Sequence, residues 1–69
     1  MIETAARRNG VDPELVRAIA TAESGIDQSA ISGVGAIGVM QLMPETAAGL
    51  GVDPYDERQN IYGGAKYIR

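Results

Sequence analysis

A glycine-rich stretch in the middle of the chain sets the strongest limit on its fold. Four of the fourteen residues from 25 to 38 are glycines: Gly25, Gly33, Gly35 and Gly38. Glycine is a poor helix former because it loses the most backbone freedom on folding, so no helix is expected to cross this stretch. We therefore expect an ordered loop or short extended pieces from residue 26 to residue 39, with helices on either side.

Local start and stop signals predict four helices around this loop. Asp12 is a good N-cap, Pro13 suits a first turn and Gly25 is a good stop, so these residues delimit the second helix. The four predicted helices cover residues 2–8, 13–24, 44–48 and a segment that begins at about residue 57. Gly63 and Gly64 lie inside the last one, where close packing against a neighbour would explain them. We expect Asn60 to cap or orient this helix.

The second predicted helix carries Glu23, the residue of greatest chemical interest. Apolar residues spaced at three and four positions predict the buried face of this helix, namely Leu15, Ile19, Ala22 and Ile26. Glu23 follows Ile19 by four residues, so it is expected on the same stripe. Burying an ionised carboxylate is costly unless it is paired or takes up a proton. The sequence thus predicts a semi-buried acid that faces the glycine-rich loop.

Composition excludes several classes of function. The chain has no Cys and no His, which removes disulfides, thiol nucleophiles, Ser-His-Asp triads and the commonest metal ligands. With scattered acids as the only other ligands, we expect neither a metal nor another cofactor. Nine acidic and six basic residues give a net charge of −3 without a basic stripe, so nucleic acid is not an expected partner.

A long series of motifs connects the second helix to the third and fourth. It consists of Ala22-Glu23-Ser24, Ser32, the run Gly35-Ala36-Ile37-Gly38-Val39-Met40-Gln41-Leu42-Met43-Pro44-Glu45-Thr46-Ala47, and then Asn60-Ile61, Gly64 and Tyr67. This series resembles the catalytic domain of the soluble lytic transglycosylases, goose-type-lysozyme-like enzymes that cut bacterial peptidoglycan. The resemblance covers nearly the whole chain but only the front half of the family's domain.

The resemblance implies a fold and a setting. The fold is a mainly α, lysozyme-like domain of the α+β superfamily, whose front half has about four helices and a glycine-rich loop or small β piece between the second and third. Residues 1–69 would be the N-terminal part of this domain, truncated before the family's Ala-Tyr-Asn-x-Gly segment. The implied location is the bacterial periplasm, cell envelope or exterior, or a phage virion, although the chain carries no targeting signal. An apolar face exposed by truncation is expected to favour self-association.

The resemblance also implies a reaction on peptidoglycan glycan strands. Glu23 matches the family's single catalytic acid, which protonates the leaving oxygen and then, as a base, takes the proton of the sugar's own 6-hydroxyl. The product is a 1,6-anhydro end on N-acetylmuramic acid, and help from the substrate's N-acetyl group replaces the second carboxylate of ordinary glycosidases. From position alone, a Glu23 that merely closes the helix end through a salt bridge or hydrogen bond is an equally good interpretation.

Other residues receive roles from the same resemblance. Three residues match the family's sugar contacts: Ser32, Gln41 and Met43. The structural alternatives are a turn residue for Ser32, a side chain that holds the loop backbone for Gln41, and a core residue for Met43. Three further residues are expected to support the site without touching substrate: Ser24, Gly35 and Gly38. Ile26 replaces an aromatic residue of the family.

Two sets of residues are read as having structural or surface roles. Asp27 is a possible second acid, but Gly25 breaks the helical register between it and Glu23, so we interpret Asp27 as a solvated loop residue. The tyrosines, Tyr55, Tyr62 and Tyr67, are read as edges of the core.

Three functions remain open at the level of sequence. The first is a lytic transglycosylase, the second a module of the same fold that binds glycan strands without cutting them, and the third a cell-wall or secretion assembly module. Because the opposite wall of the cleft is not encoded in these residues, the 69-residue chain is expected to be weakly active or inactive alone.

Overall fold

The computed structural model describes all 69 residues and contains four helices. They are α1 (Ile2–Arg8), α2 (Pro13–Ser24), α3 (Pro44–Leu50) and α4 (Glu57–Ile68). The mainly α fold with four helices is therefore confirmed, and only α3 extends beyond its predicted end, by two residues to Leu50. None of the helices is long and apolar enough to cross a membrane.

The ends of the helices follow from residues next to them in the chain. The Asp12 carboxylate accepts a hydrogen bond from the Glu14 N–H at 2.9 Å and caps α2, which ends at Gly25 with φ of 69°. Asp56, and not Asn60, caps α4, because its carboxylate accepts from the Gln59 N–H at 3.3 Å. Of the two roles expected for Asn60, capping is wrong, since Asn60 lies inside α4 with its side chain buried, whereas its hydrogen bonds to Met40 and Ile37 agree with a role in orienting the helix.

The core forms where α4 packs against the other three helices and α1 packs against α2. Small residues occupy many of its positions, so the helices approach one another closely. Its fully buried members include Ala6, Val16, Ala20, Val39, Ala47 and Ala65. This part of the core is therefore built mainly from alanines and valines.

The predicted buried face of α2 is wrong by about one residue. Val16 and Ala20 are buried, whereas Leu15 is 47% exposed, Ile26 is 41% exposed and Ala22 is exposed. Ile19 packs against the core but is only partly buried. The physical reason is that the contact with neighbouring helices is made by the short side chains of Val16 and Ala20, while the larger Leu15 is left on the surface.

The segment between α2 and α3 contains a small β piece. It consists of two isolated antiparallel bridges, Ile31 with Ile37 and Ile37 with Leu42. Gly64 of α4 packs directly against the Met40 side chain, and a Cβ atom on Gly63 would lie 2.7 Å from Val52. The two glycines therefore serve the close packing that the sequence predicts for them.

Candidate active site

A cavity of about 370 Å³ lies between the end of α2, the loop before α3 and the end of α4. Ten residues line it: Ile19, Glu23, Met40, Gln41, Leu42, Met43, Thr46, Gly64, Tyr67 and Ile68. Glu23 is the one charged side chain among them. The cavity therefore presents a single carboxyl group beside a mostly apolar wall.

Glu23 lies in the last turn of α2 and borders this cavity while remaining exposed to solvent. The expectation of a semi-buried acid is therefore wrong in degree, because the buried face of α2 is formed by Val16 and Ala20 instead. The Glu23 carboxylate makes no hydrogen bond or salt bridge within the protein, and the one ion pair of the chain joins Arg17 to Glu3. No contact in the structure supports the alternative in which Glu23 closes the helix end.

Ser24 connects the end of α2 to the cavity wall. Its hydroxyl donates to the Val39 carbonyl oxygen at 2.7 Å and accepts from the Asp27 N–H at 3.0 Å. Ser24, the residue that follows Glu23, thus holds both the turn at Asp27 and the loop at Val39. This arrangement fixes where the end of α2 meets the loop.

Gln41 forms part of the cavity wall and also holds its own loop. Its Nε2 group donates to the carbonyl oxygens of Gly38, at 2.7 Å, and Ala30, at 3.1 Å. The backbone of Gln41 adopts φ of 52°, a left-handed conformation unusual for a residue other than glycine. Met43, half-buried just before α3, lines the same cavity. Two of the three predicted sugar contacts therefore lie beside Glu23.

Ser32 and Gly35 lie together in a turn that does not line the cavity. The Ser32 hydroxyl accepts from the Ala36 N–H at 3.0 Å, and the Ser32 N–H donates to the Ala36 carbonyl oxygen at 2.9 Å. Gly35 has φ of 94° in this turn. The structure thus brings Gln41 and Met43 to Glu23 but places Ser32 elsewhere on the loop.

Asp27 does not share the cavity with Glu23. It is exposed, and its carboxylate accepts from the Ser29 hydroxyl at 2.7 Å and from the Ser29 N–H at 2.9 Å. The hydroxyl, and after it the N–H, lowers the pKa of Asp27 below its ordinary value of 3.8. Its geometry is that of a solvated loop residue.

Comparison with known proteins gives the family of the chain. The model of the transglycosylase SLT domain matches residues 1–69. The chain belongs to this family. The SLT domain is 49% identical, over 69 residues and 99% of its length, to a transglycosylase of Enterobacteria phage PRD1. It is 47% identical, over 67 residues and 96% of its length, to the membrane-bound lytic murein transglycosylase F 1 of Alkalilimnicola ehrlichii.

A solved structure has the same fold. The SLT domain superimposes with a TM-score of 0.82 and 34% identity on lytic transglycosylase Slt from Pseudomonas aeruginosa, solved as an inactive mutant with glutamine in place of a glutamate. The match covers 97% of the SLT domain and 12% of that protein. The chain likewise spans 26% of the phage relative and 14% of the Alkalilimnicola relative.

The structure adds residues to the site of the SLT domain that sequence reasoning missed. Tyr67, interpreted as a core edge, is 67% exposed and borders the cavity, so that interpretation is wrong. Tyr55 is also exposed, whereas Tyr62 is half-buried against the core. The other lining residues that the sequence did not assign to the site are Ile19, Met40, Leu42, Thr46, Gly64 and Ile68. For Tyr67 a signal existed, because it ends the family-like stretch that begins at Asn60.

Proposed function

We propose that this SLT domain supplies the acid-base group of a peptidoglycan lytic transglycosylase, and that Glu23 is this group. The observation that carries the proposal is that Glu23 is the one charged side chain of the cavity and has no partner within the protein. The names of its relatives as lytic murein transglycosylases support this reaction class. So does the inactive glutamate-to-glutamine mutant of the P. aeruginosa relative.

The proposed reaction breaks the β-1,4 bond between N-acetylmuramic acid and N-acetylglucosamine. Protonated Glu23 donates its proton to the glycosidic oxygen, which leaves as the hydroxyl of N-acetylglucosamine. The resulting carboxylate then accepts the proton of the 6-hydroxyl of the muramic acid residue, whose oxygen attacks the anomeric carbon. This step forms the 1,6-anhydro ring and returns the proton to Glu23, so no water is consumed.

The cavity wall offers the groups that such a substrate needs. The Gln41 amide oxygen accepts no hydrogen bond from the protein, so it is free to accept one from the N–H of an acetamido group. Met43 gives a flexible apolar surface for a sugar face or an acetyl methyl group. A contact between the strand and Ser32 would require the strand to extend beyond the cavity. The proposed substrate is a glycan strand of peptidoglycan in the bacterial envelope. The protein would act on it from within the envelope or as part of a phage virion.

A second candidate is a module that binds glycan strands without cutting them. The exposure of Glu23 favours it, because nothing in the protein excludes water from this carboxyl group. In the enzyme, a bound sugar would have to exclude this water. The two candidates therefore differ in what Glu23 does once a strand is bound.

The test is to incubate the purified protein with peptidoglycan and to analyse the products by mass spectrometry. We expect anhydro-muropeptides from the wild-type protein, at a low rate if the 69 residues act alone, and a loss of about 100-fold or more in Glu23→Gln. Glu14→Gln is the matched control, because Glu14 is also exposed on α2 but lies nine residues away, about 13 Å along the helix axis.

The products separate the candidates. Retention of strands without any product supports the binding module, and reducing-end products would indicate a hydrolase and contradict the transglycosylase. If the protein neither retains strands nor forms products, both proposals are contradicted. Equal losses in Glu23→Gln and Glu14→Gln would exclude Glu23 as the acid.

A further inference from the structure

Two side-chain amides grip the backbone of the loop that forms the cavity wall. Asn60 belongs to α4 and is fully buried, and Gln28 lies in the loop after α2 and is half-buried. Neither residue lines the cavity. We call the pair of side chains, Asn60 and Gln28, the amide clamp.

The Asn60 amide makes three hydrogen bonds to backbone groups outside its own helix. Its Oδ1 atom accepts from the Met40 N–H at 2.8 Å, and its Nδ2 group donates to the carbonyl oxygens of Ile37, at 2.7 Å, and Pro54, at 2.9 Å. Only one orientation of the amide fits these partners, because the reversed orientation would point its N–H groups at the Met40 N–H.

The Gln28 amide continues this pattern one residue earlier. Its Oε1 atom accepts from the Val39 N–H at 3.1 Å, and its Nε2 group donates to the Pro54 carbonyl oxygen at 3.0 Å. Both amides therefore share the Pro54 oxygen as an acceptor and hold consecutive N–H groups of the loop. Because they share a partner, the two residues are expected to act as one unit.

The segment held by the clamp is also the segment that faces Glu23. The Val39 carbonyl oxygen accepts a hydrogen bond from the hydroxyl of Ser24, at the end of α2. Met40 and Gln41 line the cavity. The clamp thus fixes the wall relative to the helix that carries the carboxyl group. Gly38 shows how closely it fits, since a Cβ atom there would lie 2.5 Å from both Asn60 Nδ2 and Gln28 Oε1.

We propose that Asn60 and Gln28 are positioning residues for the reaction at Glu23, an inference that rests on the proposed function. They hold the wall formed by Met40 and Gln41 at a fixed distance from the carboxyl group without touching substrate. A small displacement of a bound glycosidic bond from its proton donor slows the chemical step far more than it weakens binding. The clamp therefore sets turnover rather than affinity.

The experiment compares Gln28→Ala, Gln28→Glu and Asn60→Ala with the wild-type protein on soluble glycan strands of defined length. We expect Gln28→Ala to lower kcat about tenfold and to change KM by less than about threefold. Gln28→Glu keeps the acceptor for the Val39 N–H but puts an oxygen in place of the donor to the Pro54 carbonyl oxygen, so its kcat should recover only in part, to a value between those of Gln28→Ala and wild type. Asn60→Ala should lower kcat at least as much as Gln28→Ala wherever it remains folded.

Asn9→Ala is the matched control, because Asn9 is the other buried asparagine and its amide bonds only to Ala5 of α1, at 2.8 Å. Amide hydrogen exchange, read separately at Val39 and Met40, provides a readout that does not require activity. Amide exchange at Val39 should become about tenfold faster in Gln28→Ala. In Asn9→Ala, exchange at Val39 should change no more than exchange at other buried amides.

An unchanged kcat in Gln28→Ala, a loss equal to that of Asn9→Ala, or no recovery in Gln28→Glu would overturn the inference while leaving the proposed function intact. A wild-type protein that forms no anhydro product would contradict the proposed function, and the positioning role would fall with it. The exchange data would then describe a purely structural contact.

Discussion

The helical side of the molecule and the loop that faces Glu23 are held together in different ways. Where α1, α2 and α4 meet, small apolar side chains such as Ala6, Ala20 and Ala65 are fully buried against one another. Between residues 37 and 42, side-chain amides and one hydroxyl bind the backbone directly. Packing stabilises both regions, since Val39, Met40 and Leu42 belong to the same core as the helices, and directional hydrogen bonds add to it only in the loop.

This difference separates stability from geometry. Apolar packing is non-directional and tolerates small shifts, whereas a hydrogen bond to a buried backbone group fixes position and is costly to lose. A site that must place a sugar beside one carboxyl group needs the second kind of support. The loop is therefore the part of the fold in which small changes should affect function most.

The largest effect is expected from Gly38→Ala, which adds a Cβ atom 2.5 Å from both clamp amides. We expect a loss of about 3 kcal/mol in the free energy of unfolding, from overpacking together with strain at φ of 76°. Gly35→Ala is the control, since Gly35 also has positive φ but no atom within 4 Å of an added Cβ. It should lose only about 1 to 2 kcal/mol. Urea unfolding measures both, and equal losses would show that the clamp adds nothing beyond backbone strain.

Smaller effects of opposite sign are expected from two glycines inside helices, one of which contacts the loop. Gly64→Ala places a Cβ atom against the Met40 side chain and should lower the free energy of unfolding by about 2 kcal/mol. Gly49→Ala in α3 meets no atom within 4 Å and should raise it by about 0.5 to 1 kcal/mol. Thermal unfolding of the two variants gives the comparison. A stabilising Gly64→Ala would mean that α4 does not contact the loop as closely as the structure shows.

Sequence signals identified the helices because their ends depend on neighbours in the chain. Asp12, Pro13 and Gly25 delimit α2 through contacts within two to four residues. The predicted α3 ends at residue 48, whereas the helix continues through Gly49 to Leu50 and ends at Gly51, which has φ of 74°. Local chemistry is therefore sufficient to place the helices, and its errors concern the end of α3 and the residue that caps α4.

The buried face of α2 and the clamp could not be derived in this way. Leu15 and Val16 are adjacent, and only the close approach of neighbouring helices decides that the smaller Val16 is buried. Asn60 bonds to Met40 and Ile37, which lie 20 and 23 residues earlier in the chain. The residues next to Asn60 in the sequence do not predict these two partners. Such pairings depend on the tertiary arrangement.

Three of the predicted site residues lie at one cavity, while their catalytic and binding roles stay predictions. The position of Glu23 beside Gln41 and Met43 follows from the family-like series of motifs, and the structure places all three at one cavity. Ser32 belongs to the same series but lies in a separate turn, because its hydroxyl binds the Ala36 N–H. A motif thus identifies residues of one loop without showing which of them reach the same point in space.

The smallest effect concerns Asp27, at the exposed start of the loop. The Ser29 hydroxyl and N–H lower its pKa below 3.8, so the ionised form is favoured in the folded protein. The resulting stabilisation is present above the unfolded pKa and is lost as the pH falls through the lower folded pKa. An NMR titration of the Asp27 side chain should give a midpoint below 3.8, and Ser29→Ala should move it upward. A wild-type midpoint at or above 3.8 would contradict the hydrogen bonds to Ser29.

The dependence of the loop on Asn60 has a consequence for how the protein is made. A ribosome releases the chain from its N-terminus, so the segment from Ile37 to Met40 emerges about twenty residues before the asparagine that binds it. During that interval the Asp12 cap of α2 and the bond from the Val39 N–H to Gln28 already have both partners, whereas the Met40 N–H still binds water. The wall formed by Met40 and Gln41 is therefore held in place only after α4 has been synthesised and has docked.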